Sequence, residues 1–117
     1  MTYGAYLNLD QKRWRKGDYS STNKLTGTIY SDAAKSLTFV LTDYTLTIRI
    51  YKRFSNSDLF NKTASIVSAS SGTWSYAVQQ NDMISPGVYL FEIELSKSGE
   101  VMSTFPETFT VEYGPTA

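Results

Sequence analysis

After residue 24, apolar and polar positions alternate with a period of two almost without a break, and the i, i+3, i+4 spacing of an amphipathic helix is missing. Leu37, Phe39 and Leu41 alternate with Thr38, Val40 and Thr42. Leu46, Ile48 and Ile50 alternate with Thr47, Arg49 and Tyr51. Each run predicts a strand with one buried face. Trp74, Tyr76 and Val78 share a face, and Tyr89, Phe91, Ile93 and Leu95 point opposite to Leu90, Glu92 and Glu94. A slip of one residue would bury both glutamates, so the inward face of that strand is fixed. Phe109, Val111 and Tyr113 alternate with Thr108, Thr110 and Glu112, which predicts a last strand over 108–113 that stops at Gly114-Pro115. Leu25, Gly27 and Ile29 mark a strand near the start, and Ala64 and Ile66 one near the middle.

Lys97-Ser98-Gly99-Glu100 reads as a hairpin, with Gly99 able to take positive φ and opposite charges on either side. The total is about seven or eight short strands with turn signals every 8–12 residues, which predicts an all-β, immunoglobulin-like antiparallel β-sandwich. The least regular segments are 1–23 and 53–62, and RFSNSDLFNK in the second reads as a loop. No repeat, low-complexity tract or linker divides the chain. The expected organisation is an N-terminal arm or extra strand over 1–16, a sandwich over 17–114 and a tail over 115–117.

Composition narrows the chemistry. At 117 residues the chain has the size of one domain, which buries about two thirds of the surface its unfolded form exposes. Lys plus Arg and Asp plus Glu balance at 11 each, so no whole-molecule field draws it to nucleic acid or an anionic membrane. No apolar run approaches the ~20 residues that span a bilayer, and no membrane insertion is expected. In MTYGAYLNLDQKRWRK the basic cluster follows the apolar stretch, the reverse of a signal peptide. A soluble chain made in the cytoplasm is the expectation.

The sequence has no His and no Cys, which excludes Ser-His-Asp and Cys-His catalysis, thiolate chemistry and a disulfide framework. Glu92 and Glu94 share a strand face roughly 7 Å apart, near the carboxyl separations of glycosidases. On an outward face they read better as solubilising residues. Asp10, Asp18, Asp32, Asp43, Asp58 and Asp82 are scattered singly, unlike the clustered acids of an oxygen-only cation site. No catalytic residue, metal or cofactor is expected.

Lys12-Arg13-Trp14-Arg15-Lys16 is the only local concentration of charge. With no second basic patch it reads as a solvated or docking arm in preference to a nucleic-acid contact. Nine Tyr and two Trp would also suit carbohydrate, provided that rings such as Trp14 and Tyr51 are exposed together, although cores and interfaces use the same residues. Asn61-Lys62-Thr63 fits the glycosylation pattern without a secretion signal to support it.

Read in order, Lys16-Gly17-Asp18, Leu25-Thr26-Gly27-Thr28-Ile29, VLTDYTLTIRIYKR and ASIVSASSGTWSYAVQQNDMISPGVYLFEIELSKSGEVMSTFP resemble the immunoglobulin-like domain found at the N-terminus of phage upper baseplate proteins and in related tail and virion proteins. The likeness covers roughly residues 16–113. Its motif is built from turns: Gly72, Pro86, Gly87, Gly99 and Pro106 mark strand connections or ends. The family's turn after its first strand usually carries Asp and Gly, whereas Ser31-Asp32-Ala33-Ala34-Lys35 has no Gly.

The resemblance implies a non-enzymatic structural protein of a virion (tail, neck or baseplate) that assembles with other virion proteins and with itself. A carbohydrate-binding adhesion module that meets a host-surface glycan is the alternative. Tyr3, Tyr6, Leu7, Leu9, Arg13, Trp14 and Arg15 are the candidate interface, because an arm so apolar is not left loose and Trp, Tyr and Arg are enriched at binding hot spots.

Overall fold

The computed structural model describes residues 4–52, 58–83 and 85–113, and within them it has nine strands and no helix. These are β1 (Tyr6–Leu9), β2 (Arg13–Arg15), β3 (Leu25–Tyr30), β4 (Thr45–Tyr51), β5 (Asp58–Ser68), β6 (Thr73–Tyr76), β7 (Gly87–Lys97), β8 (Glu100–Ser103) and β9 (Glu107–Glu112). Neighbours run β1-β3-β6-β5-β4-β7-β9-β2, with β8 beside the end of β7. The eleven-residue β5 belongs to both halves of this curled sheet. Its first part pairs with β4 up to Leu46↔Ala64, and its last part pairs with β6 from Ser65↔Ser75 onward, with an irregularity between Ile66 and Ser68. Such a bulge bends a strand and turns one sheet into two facing layers. The fold is an all-β, immunoglobulin-like sandwich.

Between the layers lies one apolar cluster. The inward sets expected from alternation supply most of it: Leu46, Ile48 and Ile50; Trp74, Tyr76 and Val78; Tyr89, Phe91, Ile93 and Leu95; Phe109 and Val111. Trp74 stacks on Phe91 across the gap at 5.8 Å, and Phe91 packs on Phe109 at 5.4 Å. Trp74 sits so close to β3 that a Cβ on Gly27 would come within 2.7 Å of the indole and 2.5 Å of the Asn8 carbonyl. Only glycine fits between them.

Where β7 passes from β8 to β9 the chain jogs. Glu94 pairs with Ser103 and Phe91 with Glu107, which leaves Ile93 between the two ladders. Buried Thr104 fills the gap: its N–H donates to the Ile93 carbonyl (2.9 Å) and its Oγ1 accepts from the Ile93 N–H (3.0 Å). Next in the chain, the Phe105 N–H donates to the Ala5 carbonyl (3.0 Å), tying the jog to the start of β1.

Several sequence expectations are corrected. The strand expected over 37–42 is an irregular crossing whose only ladder contact among the described residues is the bridge Tyr30↔Thr38. Leu37 lies 65% exposed, and only Leu41 of its apolar set is fully buried. The reason is local: the Asp32 carboxylate accepts from the Ser36 and Leu37 N–H groups, winding the segment into a turn. The Phe39 N–H then donates to the Ile29 carbonyl (2.8 Å) and the Leu41 N–H to the Ala69 carbonyl (2.9 Å). Gly72 (φ 69°) sits inside this crossing, where a Cβ would be 2.5 Å from the Ile29 carbonyl oxygen.

The loop expected over 53–62 is partly strand, since β5 begins at Asp58, and 53–57 lie outside the described residues. Ile66 is half exposed beside the β5 irregularity. Tyr113, expected inside the last strand, lies beyond β9 and is 69% exposed. The sandwich is not wholly antiparallel either, because β2 runs parallel to β9. Gly114-Pro115 and the tail over 115–117 lie outside the described residues.

Candidate binding surfaces

Residues 6–9 and 13–15, expected as an arm or extra strand, are two strands of the sandwich. β1 pairs antiparallel with β3 through Leu7↔Ile29 and Leu9↔Gly27. Leu7 and Leu9 are 1% and 5% exposed, so these two side chains belong to the chain's own core and their expected docking role is corrected. Tyr6 points outward and stacks on Phe105 at 5.0 Å. Arg13 and Arg15 are exposed on β2, with Arg13 3.4 Å from Glu112. Tyr3 lies outside the described residues.

Trp14 stands opposite Val111 and packs against the core, with its indole N–H donating to the Asp18 carbonyl (2.9 Å). Tyr51 stands opposite outward-facing Leu90 on β4, on the other side of the same layer and three strands away. Trp14 and Tyr51 therefore form no common ring platform. Glu92 and Glu94 lie on the outer face, opposite Arg49 and Thr47 of β4.

Pro86 and Gly87 lead into β7, where the Tyr89 hydroxyl donates to the Ser85 carbonyl at 2.6 Å. Pro106 follows the β8–β9 jog, and Gly99 turns the β7–β8 hairpin at φ 85°. Across that hairpin the Tyr44 hydroxyl donates to the Glu100 carboxylate, and Lys97 Nζ lies 3.6 Å from the same carboxylate and 4.5 Å from the Tyr44 ring centroid. The Tyr44 hydrogen bond holds Glu100 below the usual carboxylate range and pushes the Tyr44 phenol up.

At the other end of β7, the loop after β2 (16–24) lies on the loop after β6 (77–83). Backbone groups lace them together, Gly17 N–H to Met83 carbonyl (2.8 Å) and Ser20 N–H to Val78 carbonyl (3.1 Å), while the Lys16 N–H donates to the Glu112 carbonyl of β9 (2.6 Å). Each loop is also pinned internally. Ser20 Oγ accepts from the Thr22 and Asn23 N–H groups at 3.1 and 2.9 Å. Buried Asp82 accepts from the Tyr76 hydroxyl (2.6 Å) and the Gln79 N–H (2.8 Å). Burial, then the Asp82 carboxylate, pushes the Tyr76 phenol well above its ordinary range, so it stays a protonated donor.

Two shallow clefts open on this laced surface. One, of about 310 Å³, is bordered by Tyr19, Ser20, Ala77, Val78, Gln79 and Gln80. The other, of about 210 Å³, is lined by Trp14, Asp18, Tyr19, Ser20 and Asn23. The sequence singled out Trp14 of this set and missed the rest. The uncharged, hydrogen-bonding run from Tyr19 to Asn23 beside the basic cluster was the available signal.

No model of a known protein family matches the sequence, and no curated protein sequence matches it. Among solved structures, the chain is similar to CopC from Methylosinus trichosporium OB3b, at 9% identity with a TM-score of 0.53 over 97% of this chain and 98% of that one. At that identity the likeness concerns the fold alone, and it agrees with the sandwich described above. Among the described residues no three His, Cys, Asp or Glu side chains are grouped so as to hold a metal ion.

Proposed function

We propose that this chain is a non-enzymatic structural protein of a phage virion, working in the tail, neck or baseplate by protein–protein assembly, and that it docks a neighbouring strand on the free edge of β8. The phage assignment rests on the sequence resemblance. The docking edge rests on one observation, which is that β8 is the least protected edge among the described residues.

An unpaired edge offers N–H and C=O groups to any extended chain, and proteins guard such edges with charge, shortness or cover. β2 is three residues long and carries two arginines. The outer edge of β5 presents Asn61, Lys62 and Thr63, all exposed. β1 is covered by the Phe105 backbone and ring. β8 pairs only with β7 among the described residues, and Glu100, its one charge, is engaged with Tyr44 and Lys97. Val101 stands 67% exposed on it, and Phe105, 56% exposed, follows just beyond.

A second copy is the first partner to test, since two β8 edges can pair about a twofold axis. Light scattering over a concentration series should show the chain associating, and Val101→Lys should leave a monomer with an unchanged melting temperature. A wild-type chain that stays monomeric throughout, or a Val101→Lys variant that associates equally, overturns docking of β8 on itself.

A further inference from the structure

We infer that two adjoining clefts, one between the 16–24 and 77–83 loops and one lined by Trp14, Asp18, Tyr19, Ser20 and Asn23, form a binding site for a neutral oligosaccharide. The site is independent of the β8 edge: β8 pairs with the last residues of β7, whereas these loops lie beside its start.

The division of labour among hydrogen bonds carries the inference. The loops are held by backbone groups and by Ser20, Tyr76 and Asp82. Asp18, Tyr19, Asn23, Gln79 and Gln80, which line the clefts, spend no side-chain donor or acceptor on another described residue. A surface fixed by its backbone keeps its geometry while leaving one hydroxyl, one carboxylate and three amides free. The loop backbone then has little left to order on binding, and the cost falls on the side chains that the ligand immobilises.

Ligand class follows from what those groups and the rings can hold. Tyr19 is 56% exposed and borders both clefts, so its ring stands as a wall between them. Trp14, fixed by its bond to the Asp18 carbonyl, lines the second. Aromatic walls offer apolar contact to the C–H faces of a sugar ring, while amides and a carboxylate satisfy its hydroxyls as donors and acceptors. None of the lining residues is Lys or Arg, and Asp18 is acidic, which disfavours phosphates and acidic sugars. The clefts are open and at or below the lower end of the ~300–1,000 Å³ range of small-molecule pockets, a size for one or two sugar units of a longer chain and not for an enclosed ligand.

Amide NMR of the full chain, titrated to millimolar concentration with maltohexaose, cellohexaose, chitohexaose and xylohexaose in turn, tests the site. At least one should shift resonances of residues 14–23 and 77–81. Tyr19→Ala should weaken that binding about tenfold, in line with an aromatic contact, and Asn23→Ala severalfold. Both residues are exposed, so the melting temperature should hold. No shift at these loops with any of the four sugars, shifts confined to another surface, or binding untouched by both variants overturns the site. So does stronger binding of a polyphosphate or an acidic peptide there.

Discussion

Replacing Leu7 and Leu9 together by alanine distinguishes a strand of the core from an attached arm. Both leucines are almost wholly buried and each faces β3, opposite Ile29 and Gly27. A buried Leu→Ala change costs about 2–5 kcal/mol, from lost transfer energy and the cavity left behind. The two sites share neighbours and β1 is an end strand that can shift inward, so the low end applies to each, giving about 4 kcal/mol for the pair. Domains of this kind have about 5–15 kcal/mol in all. Urea unfolding followed by circular dichroism should show the midpoint falling at unchanged slope, and the melting temperature should drop by about 15 °C at about 4 °C per kcal/mol. A chain beginning at Gly17 would also lose Ala5, Trp14 and the whole β1–β3 ladder, and should not fold. If the double variant loses less than about 1 kcal/mol, or the chain from Gly17 melts cooperatively near the full-length temperature, residues 1–16 are an arm and the placement of β1 in the core is wrong.

Thr104→Val keeps the shape of the buried side chain and removes the oxygen that accepts from the Ile93 N–H; urea unfolding should show a loss of about 1–3 kcal/mol, the value of a buried donor left unpaired, and no loss would mean that the jog is satisfied otherwise. The Asp32 carboxyl is held below its ordinary value, first by the Ser36 hydroxyl and then by the Leu37 N–H. A carboxyl depressed on folding adds stability that is present above its unfolded value and is lost as pH falls through the folded one. Wild type should therefore lose melting temperature relative to Asp32→Ala as pH drops from about 5 to 2, and parallel curves would refute the role of the turn.

Legibility followed the reach of each interaction. The inward faces of β4, β7 and β9 could be read because a slip would bury Arg49, Glu92 and Glu94, or Glu112, a penalty visible in the sequence itself. Residues 37–42 show the same alternation and are not a strand, because Asp32 captures the N–H groups of Ser36 and Leu37 before any neighbour can. The pattern recorded which side chains are apolar, not where their backbone bonds go. The first part of β5 was hidden for the opposite reason: Asn61, Lys62 and Thr63 are polar and exposed, and polarity looked like a loop, whereas Ala64 and Ile66 marked the strand further on. β1 carries its own alternation, Tyr6-Leu7-Asn8-Leu9, but its partner β3 and the covering Phe105 come from elsewhere in the chain, so a local reading leaves it open between an arm and an extra strand. Of the cleft, Trp14 was visible as an aromatic among cations, while Gln79 and Gln80 reach it only through the lacing of two loops distant in sequence.

The sandwich uses its two ends differently, and that bears on how assembly and recognition could coexist in so small a chain. At the hairpin end, side chains are committed to one another: Tyr44, Lys97 and Glu100 stiffen the turn, and what remains open is the backbone of β8. A backbone edge recognises any extended strand, so it favours a repeated structural contact over fine discrimination. At the loop end the commitment is reversed. Backbone groups are consumed in lacing the loops and the side chains of Asp18, Tyr19, Asn23, Gln79 and Gln80 stay free, which suits a ligand distinguished by the placement of its hydroxyls. Two copies paired through β8 would still expose both loop ends, so sugar contacts too weak singly would act together when both engage one surface. The Val101→Lys variant should then bind a sugar-coated surface more weakly than wild type while binding the same free oligosaccharide equally well. Equal retention of both chains on the coated surface would refute that coupling and leave the two ends acting separately.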